Sequence, residues 1–136
     1  MCYFLRGAIN DGINTLDYEK VLNDMNLHFL IGTDQDVNLS VRNEDGIYRI
    51  TNEYCDCGTP VGCGHTNMKG LDSYIKDILR LRTVRGIKHI YICKNWTGEY
   101  NETKETVHID DIDFPCFLAN IQDNCLYKIH IYKKYY

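Results

Sequence analysis

The sequence predicts an α+β protein: a mixed, mainly antiparallel sheet carrying two or three helices in a single domain. Strand-like stretches outnumber helical ones, hairpin signals join neighbouring strands, and the irregular order of elements departs from the strict alternation of a doubly wound α/β fold. A chain of 136 residues is long enough to bury a core as one unit spanning residues 1–136. Hydrophobic residues make up 44% and charged residues 25%, with only two prolines, which is the balance of a compact chain and not of a disordered one.

Taken in order, Cys2 to Ile9 has the aromatic and β-branched content of a strand, with Asn10-Asp11-Gly12 as its turn. Thr15 is the expected N-cap of a helix reaching about Asn26, with Leu16, Val21, Leu22 and Met25 as its apolar stripe. Tyr18 stands where a capping box needs Glu or Gln, but Asp17 and Glu19 still suit a helix N-terminus. A strand should follow from Leu27 to Ile31. Val37, Leu39 and Val41 then alternate with polar residues, Glu44-Asp45-Gly46 turns, and Ile47, Tyr48 and Ile50 return, so the stretch reads as a hairpin.

Beyond the hairpin, Thr66 or Asn67 caps a helix that ends before Gly86 and sets Leu71, Ile75, Ile78, Leu79 and the stem of Arg82 on one side. Asp72 and Lys76 form an i,i+4 pair in the favourable order. Ile87 to Lys94 is apolar on nearly both faces, hence a central strand. Thr106 to Ile109 makes another strand, and Asp113 to Ile121 a short helix with Pro115 in its first turn. Cys125 to Lys133 alternates Tyr127, Ile129 and Ile131 with Lys128, His130 and Tyr132, a strand with one wet face.

Charge and leader signals exclude some classes. The opening MCYFLRGAIN lacks a positive leader and meets Arg6 early, so it reads as a strand and not a signal peptide. No run approaches the roughly 18 apolar residues of a membrane span. Seven cysteines, an odd number, then read as reduced thiols or metal ligands of a cytoplasmic protein. The net charge of -4 is lopsided: residues 1–68 hold four basic and ten acidic side chains, residues 69–136 eleven and nine. That acidity disfavours wrapping on nucleic acid.

The densest chemistry lies in the Cys-rich loop at 55–65, where Cys55, Cys57, Cys63 and His65 follow a C-x-C-x5-C-x-H spacing. Three thiols and an imidazole suit zinc, and Gly58, Gly62 and Gly64 let the backbone aim several side chains at one point. A loop supplying all four donors would make a closed, structural zinc site. The bland alternative is a Gly-rich turn of small buried residues with no metal, since zinc knuckles usually space their cysteines C-x2-C. Cys2, at the head of a strand that can lie beside the hairpin, is a substitute ligand. The loop also sits between a strand and a helix, as phosphate loops do, but it has five residues between its framing glycines and His65 in place of the lysine.

Four weaker constellations complete the reading. Removal of Met1 would give Cys2 an α-amino group to serve as base, the chemistry of an N-terminal nucleophile, against the simpler role of a buried strand residue. Arg80, Arg82, Arg85 and Lys88 either meet phosphates or, more simply, complement a helix C-terminus. Asp110, Asp111 and Asp113 read as a solvated turn. Tyr132, Tyr135 and Tyr136 make a sticky C-terminus that suits a partner surface or a sheet edge.

The opening Met-Cys and its apolar strand resemble the start of class II glutamine amidotransferases. More of the chain, MCYF at the start and YCDCGTPVG in the middle, resembles an uncharacterised bacterial family with a Met-Cys-His-Phe opening and a Cys-Asp-Cys-Gly-Thr-x-Leu-Gly motif after a hairpin. The match falls on Cys2, Phe4, Cys55, Asp56, Cys57, Gly58, Thr59 and Gly62, with Tyr3 in place of histidine and Val61 in place of leucine. That resemblance implies a shared site architecture without a reaction, and makes Cys2 a partner of Cys55 and Cys57. The function expected is a small cytoplasmic binding or regulatory protein with a structural zinc loop, acting through a protein partner, in size and charge like inhibitors encoded by phages and mobile elements. The alternative is a thiol enzyme using Cys2 or the Cys55/Cys57 pair.

Overall fold

A computed structural model describes residues 2–33 and 49–134. Its elements are β1 (Tyr3–Ile9), α1 (Thr15–Leu22), β2 (Leu30–Ile31), α2 (Leu71–Leu81), β3 (His89–Trp96), β4 (Thr103–His108), a 3-10 turn (Ile109–Asp111), α3 (Phe114–Ala119) and β5 (Cys125–His130). Together they form an α+β domain with one mixed five-stranded sheet in the order β2-β1-β3-β5-β4. β3 is central, as its two-sided apolar pattern predicts. It pairs antiparallel with β1 and β5, while β1/β2 and β4/β5 are parallel. The parallel edges have a topological cause: each pair is joined through a helix, α1 or α3, and such a crossover returns the chain in its original direction.

Alternation along the strands splits the sheet into two faces. Leu5, Ile9, Ile90, Ile92, Tyr127 and Ile129 belong to the main core with Leu71, Ile78 and Leu81 of α2 and Phe114, Leu118 and Ala119 of α3. Ala8, Tyr91, Cys93 and Leu126 form a smaller cluster on the opposite face. Gly7 is obligatory at the centre of β1, because a Cβ there would lie 2.5 Å from the Tyr91 carbonyl oxygen.

Local expectations shift at several ends. The N-cap of α1 is Asn14, not Thr15, its side chain accepting from the Leu16 N–H at 3.1 Å, and the helix ends at Leu22. Leu16 is 69% exposed and Tyr18 is buried in its stead. α2 has no Thr66 or Asn67 cap: it starts at Leu71 behind Gly70, whose φ of 94° is left-handed. Its buried arc runs through Leu71, Ile78 and Leu81 with Tyr74 beside them, which leaves Leu79 exposed on the rim. The strand expected from Leu27 shrinks to Leu30–Ile31 because Asp77 of α2 takes the Asn26 and Leu27 N–H groups at 2.8 and 3.0 Å. On the side of β5 expected to be wet, Leu126 is buried and Lys128 and His130 half-buried.

α3 matches its prediction closely, with Asp113 as N-cap and Pro115 in the first turn. The hairpin from Val37 to Tyr48 and the tyrosines Tyr135 and Tyr136 lie outside the described residues. Where the chain re-enters, Arg49 bridges antiparallel to Arg6. No described helix is long and apolar enough to cross a membrane.

Candidate metal centre

The site is built on the outer edge of β1. After Arg49 the chain follows that edge: the Ile50 N–H donates to the Leu5 carbonyl (3.2 Å) and the Asp56 N–H to the Tyr3 carbonyl (2.9 Å). The Asp56 carboxylate reaches back and accepts the Leu5 N–H at 2.7 Å, so one residue satisfies a donor and an acceptor that a neighbouring strand would otherwise pair. The same carboxylate accepts from Thr51 Oγ1 (2.5 Å) and Arg49 Nη2 (3.1 Å). Arg49 lies with its guanidinium 4.7 Å from the centre of the Phe4 ring. Asp56 is 3% exposed, so this is a buried charge, fully hydrogen-bonded as burial demands.

Cys55 and Cys57 flank this anchor. Asp56 also opens a turn, its carbonyl accepting the Thr59 N–H at 3.0 Å, and the two thiol residues stand on either side of it. The N–H of Tyr3 donates to Cys57 Sγ at 3.4 Å. From the other direction, Thr97 fixes Cys2: its N–H and Oγ1 donate to the Cys2 carbonyl at 2.8 and 2.9 Å, and Oγ1 accepts the Cys2 N–H at 3.4 Å. The outcome is a group of three sulfurs, Cys2, Cys55 and Cys57, all within 4.8 Å of one another. Cys2 and Cys55 are half-buried and Cys57 exposed.

Hydrogen bonding polarises the group. Bonds from the Cys57 backbone and thiol and from Cys2 lower the Cys55 pKa, against burial and the Asp56 charge. The Cys2 thiol is pushed up, chiefly by its hydrogen bond to Cys55, with burial and its neighbours' charge adding. By contrast Cys93, in the second cluster, is pushed up to about 11 by burial alone in the main. The trio therefore offers three soft donors that share protons, a group able to hold a cation. Its size fits zinc: bonds of about 2.3 Å place the sulfurs of a tetrahedron roughly 3.8 Å apart.

Cys63 and His65 lie outside this group. Cys63 Sγ donates to the His65 carbonyl (3.2 Å) and accepts the His65 N–H (3.3 Å). Here the loop is docked elsewhere: the N–H groups of Gly62 and Gly64 donate to the Leu118 and Ala119 carbonyls of α3 at 2.9 and 2.7 Å, and Lys94 Nζ donates to the Val61 carbonyl. Those amides are thus spent on a helix C-terminus and do not form a phosphate cradle. The loop has two halves with different anchors, β1 for residues 55–57 and α3 for residues 61–64.

A cavity of about 270 Å³ opens beside the trio, with Cys55, Glu53, Gly58, Thr59, Lys69 and Tyr74 among its walls. The Tyr74 phenol is pushed up by burial and by the charges of Asp56, Glu53 and Asp77, so it stays protonated. Two of the four basic residues behind α2 are paired internally: Arg82 with Asp110 at 2.9 Å and Arg80 with Asp24 at 3.6 Å. Lys134 pairs with Asp111 at 2.6 Å.

Asp56 is the site residue whose role the spacing of ligands does not reveal, although it stands inside the Cys-Asp-Cys-Gly-Thr motif. A second group had no linear signal at all. His89, His130 and His108 stand in register across β3, β5 and β4, with ring centres 5.7 and 6.3 Å apart and Tyr132 packed edge-on against the latter two.

Fold and site together define a small α+β chain with a three-thiol group able to hold a metal ion. No family model matches the chain, and no curated protein or solved structure is detectably similar to it.

Proposed function

We propose that Cys2, Cys55 and Cys57 hold a zinc ion that pins β1 to the cysteine loop, and that the chain is a small cytoplasmic binding or regulatory protein acting on a protein partner. The observation that carries the metal reading is convergence: thiols 53 positions apart in the chain meet within 4.8 Å on a hydrogen-bonded scaffold. Zinc supplies a Lewis-acidic, redox-inert anchor that replaces three thiol protons. Support for the partner comes from Tyr54, which is 94% exposed immediately before Cys55. An amphipathic ring of that kind is a common anchor of protein interfaces.

Elemental analysis of anaerobically purified protein should find one zinc per chain, and metal-free protein with intact thiols sinks the reading. Affinity capture with wild type and Tyr54→Ala should differ in what they retain; a partner held equally by both removes Tyr54 from the interface.

The second reading is a thiol enzyme, and the cavity beside Cys55 favours it. It requires iodoacetamide to label Cys2 or Cys55 well ahead of the other thiols in metal-free protein. With Cys2 as an N-terminal nucleophile it also requires removal of Met1, which the intact mass reads directly.

A further inference from the structure

We propose that the three-thiol group takes its fourth donor from outside the chain: the sulfur of a small zwitterionic thiol of the cysteine class, seated in the cavity beside Cys55. This rests on the reading that the trio holds zinc. Tetrahedral zinc takes four donors, and a site with three protein ligands keeps one position open. Among the described residues no fourth Cys, His, Asp or Glu joins the group. The nearest carboxylate in sequence, Asp56, is consumed by Leu5, Thr51 and Arg49.

What the open position meets is set by the cavity. Cys55 belongs to both the trio and the cavity wall, so a molecule in the cavity lies against one of the three metal-ligand residues. At about 270 Å³ the space is at the small end for ligand pockets and suits a molecule the size of an amino acid. Its wall carries three charged residues: Asp56, whose carboxylate is already paired with Arg49, and Glu53 and Lys69, both exposed and neither in an ion pair among the described residues. Glu53 and Lys69 complement an ammonium and a carboxylate. A thiolate is the matching soft donor for a metal already bound by sulfur. On binding, the S–H bond of the ligand breaks, a sulfur–metal bond forms and the proton leaves to solvent, with nothing oxidised or reduced.

The test uses the full chain loaded anaerobically with Co(II) in place of zinc. Titration with L-cysteine should shift the visible bands and strengthen the sulfur-to-cobalt charge-transfer band saturably, with cobalt still eluting with the protein. S-methyl-L-cysteine should leave the spectrum unchanged. 2-Mercaptoethanol, which lacks both charges, should bind at least about tenfold more weakly, the scale of one charge-assisted hydrogen bond. Lys69→Ala and Glu53→Gln should each weaken L-cysteine binding by about the same factor without changing cobalt uptake. A bound cobalt ion whose spectrum ignores L-cysteine, or that L-cysteine strips from the protein, overturns this inference and leaves the zinc reading standing. Failure to take up cobalt at all overturns both. Equal affinity for 2-mercaptoethanol, or variants that bind as wild type does, overturns the cavity as the seat.

Discussion

The two ends of the sheet gather ligand-type side chains in opposite ways. At the head of β1, Cys2, Cys55 and Cys57 are half-open to solvent, and the hydrogen bonds that position them come mainly from their backbone and from Asp56. At the far end, the histidine row is packed among rings, and four of its six nitrogens are committed or sealed. His108 Nδ1 accepts the Asp110 N–H at 3.1 Å, which leaves the proton on Nε2, and His89 Nε2 meets Tyr91 Oη at 3.1 Å. His108 Nε2 and His130 Nδ1 are buried without a partner. An orphaned buried group costs about 1–3 kcal/mol, so this end spends stability where the thiol end keeps donor capacity. The thiol group differs from the histidine row in its access to solvent more than in the closeness of its donors.

The largest effect that can break this contrast falls on Asp56. Replacing it by Ala leaves Arg49 and the Leu5 N–H without their buried acceptor, and chemical denaturation should show a loss of about 3–5 kcal/mol. Metal stoichiometry should fall with it. Next comes the metal. Zinc at a hundredfold excess over its Kd should add about 2.7 kcal/mol to unfolding, reversed by a chelator. Cys55→Ser should abolish that gain, while Cys63→Ser and His65→Ala keep it; loss of the gain in Cys63→Ser would move the site to the other half of the loop. Thr97→Val removes both side-chain bonds holding Cys2, one of them long at 3.4 Å, so it should cost about 0.5–1.5 kcal/mol and weaken zinc binding modestly, a change that calorimetry separates.

The smallest effect belongs to the histidine end. Burial first, then the charges of Lys128 and His108, lower the His130 pKa below 6.5. A depressed base in the folded state means that the unfolded chain takes up the proton first. The contribution is therefore whole above pH 6.5 and is lost as pH falls toward the folded value. Thermal unfolding should show a slightly lower Tm at pH 5.5 than at pH 7.5, and His130→Gln should flatten that difference. A pH dependence unchanged in His130→Gln would transfer the effect to another group.

The α+β class, the central β3 and the Asp113–Pro115 start of α3 were legible because they follow from local alternation, two-sided hydrophobicity and capping chemistry. Helix starts were less so. Thr15 and Thr66 are sound caps by residue type, yet Asn14 and Gly70 hold those positions, since packing of Tyr18 and Leu71 fixes where each helix begins. The parallel edges were hidden for a related reason: strand direction depends on which neighbour a crossover returns to.

From the sequence alone came the richness of the 55–65 loop in soft ligands and Cys2 as a candidate donor. Which cysteines meet was decided by tertiary structure. Asp56 bonds to β1 while Gly62 and Gly64 bond to α3, and those two anchors draw Cys55 and Cys57 toward Cys2 and leave Cys63 and His65 with each other. Spacing limits which ligands can share a point; long-range backbone hydrogen bonds choose the point.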